Sequence, residues 1–248
     1  MEFKKLGKSD LTVSAYCLGT MTFGEATSET DSHLQIDQSL ASGINFIDTA
    51  EMYPTCPLRE ETTGDTEVII GNWIEKNKSK RADFVLATKI SGKGYKAVRN
   101  GEGIDEKSIK IAIEGSLKKL KTDYIDLYQL HWPNRGSYHF RQNWNYNPTN
   151  QDTEIAKDNI NGVLNSLSDL QKEGKIRHIG LSNETCWGTS HFLDQLKNFS
   201  NLIIASIQNE YSLLCRLYDL DMAEMSHHEN ISLLSYSPLA GGFLTGKY

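Results

Sequence analysis

No stretch of this sequence approaches the ~18 consecutive apolar residues of a membrane span, so no segment reads as one. Cysteine is scarce, and Cys17, Cys56, Cys186 and Cys215 are scattered without a C-x-x-C pair. That scatter reads as free thiols in a reducing compartment. There is no basic excess either: 26 Lys and Arg face 32 Asp and Glu, for a net charge of −6. General nucleic-acid binding needs a basic face and is not expected. Any anionic ligand must then be held by local donors. The opening "MEFKKLGKSDLTV" carries charges where a signal peptide has its apolar run, so a cytoplasmic location is expected. Without secretion, the glycosylation-like triplet Asn183-Glu184-Thr185 has no meaning.

What is present is one pattern repeated from residue 16 onward. A short β-rich run ends in a polar residue, a loop follows, then a segment of helical period. The runs are "YCLGT", "NFID", "FVLATK", "YIDLYQLH", "IRHIGLSN", "LIIASIQN" and "SLLSYS". Between them, Ser28-Glu29-Thr30-Asp31 has the form of a capping box opening a helix that stops at Gly43. Ile109, Ile113, Leu117 and Leu120 recur at helical spacing, as do Ile160, Val163, Leu164, Leu167 and Leu170 before Gly174. Strands alternating with helices imply an α/β fold with parallel pairing, either a doubly wound sheet or a (β/α)8 TIM barrel. An open sheet gathers chemistry at one switch point, whereas a barrel aims every C-terminal strand end at one mouth. Here Asp48, Lys89, His131, Ser182 with Asn183, Gln208 and Tyr236 stand at six consecutive strand ends. A barrel is therefore predicted, one domain over residues 1–248, with "EFKKLGKSDLTV" as a β-hairpin closing its bottom. Only seven barrel strands are legible, so the expectation is a barrel incomplete at its C-terminus, lacking the eighth strand and last helices.

The strand-end residues form a chemical set. A tyrosine, normally with a pKa near ~10, becomes a useful acid when a neighbouring cation stabilises its phenolate. A buried lysine supplies that cation, and a carboxylate keeps the lysine charged and oriented. "DTAEMY" contributes Asp48 and Tyr53, "LATK" Lys89 and "LHWP" His131. Taken singly, each has a bland alternative as a cap, a rim residue, a surface lysine or a structural histidine. Such a set, beside a hydride source, is what reduction of a carbonyl requires. At the other end, Gly241, Gly246 and Lys247 in "SYSPLAGGFLTGKY" fit the spacing of a phosphate loop, but Tyr248 replaces the Ser/Thr that would hold Mg²⁺. No metal is expected.

Across residues 1–248, "LGTMTFG", "GINFIDTAEMY", "LATKIS", "SLKKLKTDYIDLYQLHWP", "GKIRHIGLSNE", "IQNEYSLL" and "YSPLAGGFLTGKY" follow one another in the order of the aldo-keto reductases, and the sequence resembles that family, its bacterial Tas-type subgroup in particular. The resemblance implies NADP(H) bound in extended form on a barrel. It implies catalysis by Tyr53 as proton donor, Lys89 as its neighbouring cation, Asp48 as partner of Lys89 and His131 as the group orienting the carbonyl. It also implies cofactor contacts at Gly19, Thr20, Asp48, Ser182, Asn183, Gln208, Tyr236, Ser237, Pro238, Leu239, Gly241, Leu244 and Lys247. Ser182, Asn183 and Gln208 would take the nicotinamide carboxamide and Tyr236 would stack on the ring. The glycine-rich tail would follow the pyrophosphate, which makes the phosphate-loop match a coincidence of spacing. Small-molecule carbonyls are the implied substrates. The alternative is a cofactor-sensing accessory subunit of the same fold; such subunits lack the tetrad histidine, and His131 is present. The loop "WPNRGSYHFRQNWNYNPTNQDTEIAKDN" offers Trp132, Tyr138, Phe140, Trp144 and Tyr146 as a roof for hydrophobic substrates, or as rings packed only on each other. Trp132 is the substrate-contact candidate.

Overall fold

A computed structural model describes residues 1–248. A two-stranded antiparallel hairpin comes first, β1 (Phe3–Lys5) and β2 (Thr12–Ser14), registered with Phe3 opposite Ser14. Alternating elements follow: β3 (Leu18–Gly19), α1 (Glu29–Ala41), β4 (Phe46–Asp48), α2 (Asp65–Lys76), β5 (Val85–Ile90), α3 (Glu106–Leu120) and β6 (Ile125–Leu130). The chain continues through α4 (Thr153–Lys172), β7 (Ile176–Ser182), α5 (Cys186–Leu196), β8 (Ile204–Glu210), α6 (Met222–Glu229) and β9 (Ser232–Tyr236). The seven strands β3 to β9 pair in sequence order, all parallel, as right-handed strand–helix–strand units predict. Each of the seven β-rich runs becomes one of these strands.

Local chemistry sets the helix ends. The Asp152 side chain accepts from the Ile155 amide to open α4, and Ile160, Val163, Leu164, Leu167 and Leu170 form its buried stripe. Gly174 stops it at φ +74°. At α3, Asp105 and Ser108 cap each other reciprocally. The box expected at Ser28–Asp31 is only half made. Ser28 accepts from the Asp31 amide, but the Asp31 carboxylate takes the Ser28 hydroxyl at 2.7 Å instead of its backbone N–H.

The sheet is curled. Neighbouring strands lie about 4.8 Å apart, so β4 and β8 would be about 19 Å apart in a flat sheet. Instead the Gln208 amide on β8 reaches Asp48 on β4 at 3.0 Å. The convex face and the helices share a core of 33 buried residues, including Trp73, Tyr128, Leu86 and Leu167. Inside the curl, Leu6, Leu11 and Val13 of the hairpin region pack against Phe46, Val85, Ala87, Leu127 and Ala205. The hairpin thus fills the bottom, leaving the C-terminal strand ends as the open mouth. No helix is long and apolar enough to cross a membrane.

Candidate active site

Asp48 is the last residue of β4, yet the chain beyond it stays bonded to β5: Thr49 N–H donates to Ala87 O at 2.9 Å and Glu51 N–H to Lys89 O at 3.1 Å. A turn closed by Tyr53 N–H on Ala50 O, at 3.1 Å, then brings the Tyr53 ring back over Lys89. Lys89 is wholly buried. Its Nζ donates to Asp48 Oδ2 at 2.6 Å and to Thr49 O at 2.9 Å, and lies 3.4 Å from Tyr53 Oη. His131, directly after β6, presents its ring edge-on to Tyr53 at 5.8 Å between centroids. All four residues proposed from the sequence as a catalytic set are therefore in one cluster at the mouth.

The electrostatics of the cluster depend on burial. Burial works against the Lys89 ammonium, but Asp48 and then Tyr53 more than offset it, and the net direction is upward, so Lys89 is a firm cation. Burial also pushes the Tyr53 phenol up; Lys89 pulls it down and Asp48 pushes it up, and the balance stays above the ordinary value. This differs from the expectation that the lysine alone would make the phenol acidic. Around the Tyr53 hydroxyl, desolvation of the phenolate outweighs the cation, so Tyr53 carries its proton at neutral pH. His131 is held well below the ordinary histidine range, first by burial and then by Lys89, so its ring is neutral. Its Nδ1 is buried without a hydrogen-bond partner.

A residue that sequence reasoning missed completes the cluster. Gln129, fully buried in β6, donates to Asp48 Oδ1 at 2.8 Å, and Gln208 donates to the same oxygen at 3.0 Å. Asp48 thus meets two amides on one oxygen and the ammonium on the other. Gln129 stands two residues before His131 and points to the same face of the strand; that alternation was the available signal. Thr20 also braces the strand end, its hydroxyl donating to Asp48 O at 2.8 Å. Beside it Gly19 is exposed, and nothing lies within 4 Å of where a Cβ would sit.

The remaining strand-end residues form a polar chain around the mouth. Ser182 Oγ donates to Gln208 O at 2.8 Å, Asn183 Nδ2 donates to His131 O at 3.0 Å, and the Tyr236 hydroxyl donates to Asn183 Oδ1 at 2.8 Å. After β9 the backbone is left-handed at Ser237, Ala240, Gly241, Gly242 and Gly246. Residues Ala240–Thr245 form a kinked 3-10 turn. The amides of Leu239 and Gly241 donate to no other backbone group. Leu239 at φ −98° followed by left-handed Ala240 at φ +51° is the right-then-left pairing that turns successive amides toward an anion. Pro238 and Leu244 belong to the same loop, and the Lys247 amine sits over the Tyr248 ring at 5.7 Å.

The aromatic loop after β6 divides. Trp132 packs against His131 with centroids 4.9 Å apart, and Phe140 meets Trp132 edge-on at 5.9 Å. Tyr138 and Tyr146 instead pack on each other at 6.0 Å, and Trp144 is 91% exposed. The loop is pinned by a buried Arg135–Glu184 ion pair, with the Arg135 guanidinium also 4.9 Å from the Trp187 ring. Neither partner was singled out from the sequence, because their 49-residue separation leaves no local pattern.

Comparison with known proteins agrees with this geometry. The sequence model described as "Aldo/keto reductase family" matches residues 15–248. "Protein tas" of Escherichia coli is 44% identical over all of this chain and 71% of its own length. "Uncharacterized oxidoreductase YrpG" of Bacillus subtilis is 32% identical over all of this chain and 69% of its own. "Norsolorinic acid reductase B" of Dothistroma septosporum is 29% identical over 98% of this chain and 57% of its own. With its curled parallel sheet, its hairpin and a family match over nearly its whole length, the chain belongs to the aldo/keto reductase family.

Proposed function

We propose that this chain is an NADP(H)-dependent oxidoreductase that reduces the carbonyl of a small aldehyde or ketone to an alcohol, with Tyr53 as the proton donor. The observation that carries the reading is the Tyr53 hydroxyl, 3.4 Å from an ammonium that Asp48 holds at 2.6 Å, with neutral His131 beside it. A carbonyl oxygen seated between Tyr53 and His131 would meet two uncharged groups able to donate hydrogen bonds. As negative charge grows on that oxygen, Tyr53 gives up its proton, and Lys89 stabilises the phenolate left behind. Asp48, held by Gln129 and Gln208, keeps Lys89 charged and aimed.

The residues fit an extended dinucleotide. Ser182, Asn183 and Gln208 offer hydroxyl and amide groups for a carboxamide, and Tyr236 offers a half-buried ring beside them. The free amides of Leu239 and Gly241 suit the phosphates. Gly19, Thr20, Ser237, Pro238, Leu244 and Lys247 are proposed as further cofactor contacts on the family likeness. Bound there, the nicotinamide supplies the hydride. The choice of the 2′-phosphorylated form follows the family likeness. The relatives named as an oxidoreductase and as a reductase support turnover, and so does the presence of His131, which a purely cofactor-sensing subunit does not need. A cytoplasmic location and the absence of a membrane partner remain parts of this proposal, as does the absence of a nucleic-acid partner, which the net charge of −6 supports.

The test is loss of NADPH absorbance with a panel of aldehydes. Turnover by the wild type and none by Tyr53→Phe, with NADPH affinity kept, supports the reading. Equal turnover by Tyr53→Phe rejects the assignment of the acid. Tight NADPH binding with no turnover on any carbonyl points to the sensing subunit.

A further inference from the structure

Two buried charged residues outside the tetrad grip the backbone that carries it. Glu51 lies two residues before Tyr53 and Arg99 lies in the loop between β5 and α3, and their side chains pair at 8% and 9% exposure. Both also hold one residue, Ser91, which lies two positions after Lys89. The Ser91 amide donates to Glu51 Oε1 at 2.5 Å, and Arg99 Nη2 donates to Ser91 O at 2.7 Å. Glu51 thus joins the turn bearing Tyr53 to the strand end bearing Lys89. The loop supplying Arg99 has an unusual backbone, with Arg99 at φ +44° and Asn100 at φ +56°, both left-handed, before Gly101 at φ +80°. Non-glycine residues held there in succession imply a conformation retained for what it positions. Val98 from the same loop is buried against Ala50 and Met52, with the Tyr53 and Tyr95 rings packed on them.

Resting on the reading of Tyr53 and Lys89 given above, we propose that Glu51 and Arg99 are positioning residues: through Ser91 they set the separation of the Tyr53 hydroxyl from the Lys89 ammonium. That contact, at 3.4 Å, lies at the outer limit of a hydrogen bond, where a shift of a few tenths of an ångström removes most of it. Neither residue touches the reacting atoms. Their loss acts by letting the β5–α3 loop and the turn after β4 drift apart.

The experiment uses Arg99→Met and Arg99→Lys in the whole chain, with NADPH and 4-nitrobenzaldehyde as probes and Tyr53→Phe as control. Arg99→Met is expected to lower kcat about tenfold while KM for the aldehyde and Kd for NADPH stay within about twofold. Its alkaline pH–rate limb should move to higher pH, because a phenol farther from the ammonium holds its proton more tightly. Arg99→Lys, which keeps one charged arm toward Glu51, should fall between Arg99→Met and the wild type. A carbon-13 label at Tyr Cζ, assigned with Tyr53→Phe, reads the same change without turnover: the Tyr53 signal should titrate at higher pH in either variant. It also decides the matter if Arg99→Met fails to fold, since Arg99→Lys then carries the test. A lowered thermal midpoint with unchanged kcat, limb and Tyr53 titration would overturn the proposal and leave the pair a structural one. Turnover by Tyr53→Phe would instead overturn the underlying reading.

Discussion

Lys89→Met removes one charge and almost no volume, so its effects isolate the ammonium. The methionine follows the lysine stem in a fully buried slot and leaves little cavity. At 3.4 Å and an effective dielectric constant of about 20, the ammonium stabilises a full phenolate on Tyr53 by about 5 kcal/mol. If roughly half of that charge has developed in the transition state, the loss is about 2.5 kcal/mol, or roughly 70-fold in kcat. Stability should fall as well. Removing one member of a buried pair costs about 3–5 kcal/mol, and the lower end applies here because Asp48 Oδ1 keeps the Gln129 and Gln208 amides. The sign with pH follows from the direction at Lys89. Its folded pKa is raised above 10.5, so the stabilisation is complete below that value and is lost only as the pH rises through the higher folded one. Wild type and variant should therefore differ by the same amount in urea titrations at pH about 7 and about 9. Single-turnover NADPH oxidation measures the rate loss. Turnover within about threefold of wild type, in a folded variant that binds NADPH, would refute the role given to the ammonium.

Three further outcomes are expected. Tyr53→Phe should reduce turnover by at least about 10³-fold with NADPH affinity within about twofold, read by fluorescence titration and steady-state kinetics. Burial depresses His139 from 6.5 to about 4, against the bond its ring makes to Glu184 O, so its neutral form favours folding above about 6.5 and this advantage drains away as the pH falls toward 4. That displacement corresponds to about 3 kcal/mol, and urea titrations of His139→Gln at neutral and acidic pH should show a flatter acid limb than wild type. Gly71→Ala should destabilise the fold by about 1–3 kcal/mol despite a better helix propensity, because the new methyl would meet the Lys119 carbonyl where α2 crosses α3; thermal unfolding checks this.

Much of the fold was legible because the signals that specify it are local. Seven β-rich runs alternating with helical stripes became seven parallel strands and their helices, and polar residues at strand ends came to one mouth as barrel geometry requires. Where local pattern ran out, so did the reading. Trp144 and Phe140 looked equivalent in the loop after His131, yet one stands in solvent and the other packs on Trp132, a difference that no local pattern carries. Nothing in the sequence singled out Glu51 and Arg99, which meet only because the loop between β5 and α3 folds back on Ser91.

By itself the sequence determined the alternation of strands and helices, the hairpin at the base, and which titratable groups stand at which strand end, since side-chain period and capping chemistry act over a few residues. Only the tertiary structure decided that Gln208, 160 residues beyond Asp48, shares its carboxylate with Gln129. It also decided that desolvation, not the neighbouring ammonium, sets the direction in which the Tyr53 phenol moves. Burial and charge separation arise from curling the sheet and closing loops across it, and no short stretch of chain encodes them.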